Sequence, residues 1–92
     1  MAQVPDMNTV ASTYSGKVVC MVISSSAKAS WATTYGVQFT IAKDNGGATA
    51  SAYGVPATPH NVIVDQQGDI AWERTGGTGL STFTTQIDAL NP

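Results

Sequence analysis

Residues 52–76 read AYGVPATPHNVIVDQQGDIAWERTG, and the architecture is argued outward from this stretch. His60 to Asp65 and Asp69 to Arg74 are two apolar-rich runs of strand length. They are joined by Gln66-Gln67-Gly68, a spacing that predicts an antiparallel hairpin. Asp65 and Asp69 flank the turn and read as turn formers, because a short carboxylate can accept hydrogen bonds from the turn's own backbone. Pro56 and Pro59 bracket a tight loop before the first strand, and the small-residue segment Ala48 to Tyr53, closed by Gly54, reads as a helix.

Downstream, Thr75 to Gly79 is a Gly- and Thr-rich loop. Leu80, Phe83, Ile87 and Leu90 then recur at helical spacing over 80–90. Upstream of the hairpin lie a turn (Lys43 to Gly47), a short strand (Val37 to Ala42) and a helix (Ala27 to Tyr35, closed by Gly36). Ser24 to Ser26 form a polar break before that helix. Ahead of them Lys17-Val18-Val19-Cys20-Met21-Val22-Ile23-Ser24 is an unbroken apolar run rich in β-branched residues. Such a run predicts a strand of a parallel sheet covered on both faces. Pro5 to Tyr14 carries Met7, Val10 and Ala11 on one helical face and stops at Ser15-Gly16. The resulting order predicts a single α/β domain over 1–92. It is a three-layer sandwich whose mixed sheet holds the parallel strand 17–24 and the hairpin 60–74, with helices on both faces.

Composition narrows the function. Only 11% of residues are charged, and the four basic ones, Lys17, Lys28, Lys43 and Arg74, are scattered singly. No cationic patch can hold phosphates, so nucleic acid is not an expected partner. No apolar run reaches the roughly 20 residues of a membrane span, and the basic-then-apolar layout of a signal peptide is missing. As written, the chain is expected in the cytoplasm. One cysteine, Cys20, allows no internal disulfide and no two-cysteine cycle. With a single histidine, His60, and no CxxC spacing, neither a metal site nor a cofactor is expected.

The 52–76 stretch resembles the thioredoxin superfamily, and within it the TlpA-like and peroxiredoxin-like thiol–disulfide oxidoreductases. There "YGV" precedes a cis-proline, followed by a strand ending in Asp, a Gly turn, and a last strand and glycine; Tyr53-Gly54-Val55, Pro59, Asp65, Gly68, Trp72 and Gly76 stand in those places. Tyr35-Gly36-Val37, Phe39 and Asp44 are similar to a second family pattern. Met1-Ala2-Gln3-Val4-Pro5-Asp6-Met7 is similar to the residues just after the family's CxxC, with Met1 in the slot behind the missing second cysteine.

The resemblance implies that the Thr58–Pro59 bond is cis and that the backbone there binds polypeptide. It also implies that this chain starts past the family's first core strand and its CxxC. Two strand edges are then left without a neighbour, and a homodimer that replaces the missing strand is the expected partner state. Without a helix-stabilised thiolate and a resolving thiol, no residue is assigned as catalytic. Cys20, inside an apolar strand, reads as a buried hydrophobe rather than a reactive thiol. Trp31, Tyr35, Phe39 and Trp72 read as core. Two functions fit. One is a non-catalytic module that binds peptide or assembles with itself through Thr58 and Pro59. The other is the C-terminal portion of a TlpA-like reductase whose start lies upstream, which would place the native protein outside the cytoplasm.

Overall fold

The computed structural model describes residues 3–92, so the reading placed on Met1 and Ala2 lies outside the described residues. Helix α1 spans Val4–Thr13, with Pro5 in the first turn, where its missing N–H is not needed. Strand β1 is Met21–Ser24, helix α2 Trp31–Thr34 and strand β2 Thr40–Lys43. A 3-10 turn at Asn45–Gly47 leads into helix α3, Ala48–Ala52. Strands β3 (His60–Val64) and β4 (Ile70–Thr75) follow, and helix α4 (Leu80–Asp88) ends the domain.

The hairpin forms as its turn residues dictate. The Asp65 carboxylate accepts hydrogen bonds from the amides of Gln67 and Asp69, both at 2.9 Å. Gly68 closes the turn at φ +86°, which costs a residue without Cβ little. β3 and β4 then pair antiparallel from His60↔Thr75 to Val64↔Ile70, with an irregularity after Ile63.

β1 and β2 pair in parallel, Met21↔Thr40 to Ser24↔Lys43. Among the described residues the parallel and antiparallel parts are separate two-stranded ladders, not bonded to each other. The expected strand 17–24 is therefore paired only over its second half. β2 offers four residues, and among the described residues no strand pairs with Val18 to Cys20.

Val10, Tyr14, Phe83 and Ile87 form a buried cluster between α1 and α4, and Val18, Cys20, Ile63 and Trp72 reach it from the strands. Val10 is 1% exposed. Trp72 packs edge-on against Phe83 at 6.1 Å between ring centres, a favoured geometry. Tyr14 donates a hydrogen bond to Asp88 at 2.5 Å, tying the end of α1 to the end of α4. That bond first, then burial and the carboxylate's charge, pushes the phenol above its ordinary value.

The expected helix 27–35 shrinks to four residues that bury nothing, because Lys28 to Ser30 turn in single i→i+3 bonds instead of an α-turn. Trp31 and Tyr35 meet edge to face at 5.8 Å, but Tyr35 is exposed. The placing of Tyr35 in the core is thereby corrected. No helix among the described residues is long and apolar enough to cross a membrane.

Asp44 is buried at the head of α3, where its carboxylate accepts the Thr49 amide at 2.8 Å and the Ala50 amide at 3.0 Å. Those two bonds hold its pKa below the ordinary value. A carboxylate so held stabilises the fold above about pH 4, its unfolded value, and loses that contribution as pH falls through its folded value. Asp44→Asn should melt several degrees below the parent at pH 7, with a gap that narrows as pH falls below about 4, followed by circular dichroism. An equal gap at both pH values would exclude the charge as the cause.

Candidate functional site

The start of α1, the loop before β3 and the loop after β4 converge on one end of the molecule. The Thr58–Pro59 bond is cis, and both residues are exposed. The Gly76 amide donates to the Pro59 carbonyl at 2.8 Å, so the proline loop is stitched to the far end of the hairpin. Two residues on, the Asn61 side chain meets Gln3 in a double amide pair: Gln3 Nε2 donates to Asn61 Oδ1 at 2.9 Å, and Asn61 Nδ2 to Gln3 Oε1 at 3.0 Å. The same Gln3 oxygen accepts the amide of Thr78 at 2.9 Å, and Thr78 is buried.

Gln3 precedes α1 and also accepts the Met7 amide on its carbonyl. One side chain thus docks the helix start onto β3 and onto the loop ahead of α4. Amide–amide pairing saturates donors and acceptors that would otherwise be desolvated without partners, at about 1–3 kcal/mol each.

His60, directly after the proline, shares a 2.7 Å hydrogen bond between Nδ1 and Thr75 Oγ1 across the hairpin. Its Nε2 is buried with no partner among the described residues. Cys20 is elsewhere, half-buried against the α1–α4 cluster, and burial raises its pKa above the ordinary thiol value. Its environment makes it a protonated, weakly nucleophilic thiol at neutral pH.

Of the residues picked from sequence, Thr58 and Pro59 sit in the convergent end, Cys20 in the core layer, and Asp65 and Asp69 in the hairpin turn. The described residues bring no group of three or more His, Cys, Asp or Glu together. Sequence reasoning assigned no role to Gln3, Asn61 or Thr78. Their bonds span 58 and 75 residues, and only the amide at position 3 stood in a recognised pattern.

Residues 1–87 match the family model described as Redoxin. No curated protein is significantly similar. A crystal structure from Chlorobium tepidum, provisionally described as a thiol:disulfide interchange protein DsbE, superposes with a TM-score of 0.83 at 23% identity. The match covers 99% of this chain and 70% of that one. At that identity the likeness establishes the fold, which is thioredoxin-like.

Two measurements probe the site. Gln3→Ala should lower the unfolding free energy by about 1–3 kcal/mol in urea, since it strands the Thr78 amide and Asn61; an unchanged midpoint would refute the anchoring role. Alkylation of Cys20 by iodoacetamide should be slower than that of a free thiol at pH 7 and reach its half-maximal rate above the ordinary thiol pKa of about 8.5. A midpoint below that value would contradict the burial argument.

Proposed function

Because the chain belongs to the Redoxin family, as the match over residues 1–87 establishes, we propose that these 92 residues hold extended polypeptide at the Thr58–Pro59 loop without turning over dithiols. The observation that carries this reading is the single cysteine. Disulfide reduction requires one thiolate to attack, forming a mixed disulfide, and a second thiol to displace the product and leave as a disulfide with the first. Cys20 could form the first bond but has no intramolecular partner for the second.

Its setting argues against even the first step. It is half-buried and its thiol is pushed up by desolvation, with no cation lowering it. The proline loop supplies the other half of the reading. Thr58 and Pro59 are exposed, and the loop is held in place from behind by the Gly76–Pro59 bond and the Gln3–Asn61 pair. Backbone presented by an anchored loop can pair with an extended chain at low ordering cost.

With dithiothreitol as reductant, the chain should not accelerate insulin reduction beyond the reagent alone. Titration with an S-carboxymethylated unfolded polypeptide should shift the amide resonances of Thr58 and His60 first. Acceleration of insulin reduction would overturn the non-catalytic half of the proposal, and an undisturbed loop the binding half.

A further inference from the structure

The chain holds four asparagines, Asn8, Asn45, Asn61 and Asn91, and the fold treats them differently. Asn8 is tied at both ends of its amide, donating to the Gly36 carbonyl at 2.8 Å and accepting the Gln38 amide at 2.9 Å. Asn61 is held by its pair with Gln3. Asn91 precedes Pro92, which has no backbone N–H. Asn45 is exposed, and the side-chain bonds at its turn are made by Asp44 instead.

Asn45 is also followed by glycine. Gly46 stands at φ +67°, with nothing within 4 Å of where a Cβ would be. Among the described residues its amide has no backbone partner, whereas the next amide, of Gly47, donates to the Asp44 carbonyl at 3.1 Å. A backbone nitrogen can reach the amide carbon of a preceding asparagine only where little crowds it. Every other residue type places a Cβ beside that nitrogen, and glycine does not. Asn45-Gly46 therefore joins an unheld side-chain amide to an unhindered, unbonded nitrogen.

We propose that Asn45 is a site of spontaneous deamidation through a cyclic imide formed with Gly46. The Gly46 nitrogen gives up its proton and bonds to Asn45 Cγ. The Cγ–Nδ2 bond breaks, and Nδ2 leaves with a proton as ammonia. Water, the co-reactant, then opens the imide at either carbonyl. Opening at Cγ leaves an aspartate. Opening at the main-chain carbonyl leaves an isoaspartate, whose peptide link runs through the former side chain. Either product sets a new carboxylate beside buried Asp44, whose own carboxylate holds the Thr49 and Ala50 amides. Isoaspartate also adds a methylene to the backbone inside the turn closed by the Gly47–Asp44 bond. The start of α3 is loosened as a result.

The folded chain, incubated in mildly alkaline buffer, should be mapped by proteolysis and fragment-ion sequencing over time. Asn45 should convert to the acid with isoaspartate in excess, faster as pH rises, while Asn8, Asn61 and Asn91 remain amides. An intact Asn45, conversion that falls first on another asparagine, or aspartate without isoaspartate overturns the proposal. Gly46→Ala, which crowds the nitrogen, should slow the loss several-fold; an unchanged rate overturns the cyclic route, and mapping of the unsubstituted chain decides the matter if that variant fails to fold. The isoaspartate fraction, separated by ion exchange, should melt several degrees below the parent. Asn45→Asp adds the charge without the methylene and should melt between the two. An isoaspartate fraction that melts with the parent overturns the loosening of α3.

Discussion

The packing of α1 against α4 is the constraint on which the rest of the structure depends. Among the described residues the two ladders are not bonded to each other, so what relates β1 to β3 is the helix layer that both touch. Val18 and Cys20, just ahead of β1, and Ile63 and Trp72, on β3 and β4, all pack against the Val10–Tyr14–Phe83–Ile87 cluster. The cluster is small, and burial of a large apolar side chain contributes about 1.5–3 kcal/mol. The polar tie from Tyr14 to Asp88 fixes how far the two helix ends can slide. Loss of that layer would release two hairpin-sized fragments, neither of which is stable alone in water.

The convergent end is a consequence of the same packing. Once α1 lies on α4, its first residues come within reach of β3 and of the loop before α4, and Gln3 exploits that by serving Asn61 and Thr78 together. The Pro59 carbonyl, bonded to Gly76, is held from the same side. The Thr58–Pro59 loop is thereby fixed to the hairpin while both of its residues stay exposed. Cys20 belongs to the opposite logic. It contributes to the layer that holds the domain together, and the burial that makes it useful there suppresses its thiolate.

Much of the architecture is legible in the sequence because its determinants are local. Asp65 and Gly68 specify the hairpin turn within four residues, and Leu80, Phe83 and Ile87 mark the buried face of α4 by spacing alone. The run from Lys17 to Ser24 announces a strand but not its neighbours, since pairing depends on residues elsewhere in the chain. This is why only its second half is found in a ladder. Trp31 and Tyr35 announce a helix face and meet edge to face, but no residue of α2 is buried. The Gln3–Asn61–Thr78 network has no local signature at all: three ordinary polar residues acquire a role through contacts across nearly the whole chain.

The division between what is local and what is not also separates the two halves of the functional reading. Disulfide turnover is a matter of inventory, since reduction needs both an attacking and a resolving thiol, and these 92 residues hold one cysteine, which is half-buried. Polypeptide recognition is a matter of placement, since any exposed backbone can pair with a strand and only an anchored one does so without losing the gain to ordering. In this domain the anchoring bonds converge on the Pro59 loop, where the Gly76 amide and the Gln3–Asn61 pair tie it to the far end of the hairpin and to the start of α1.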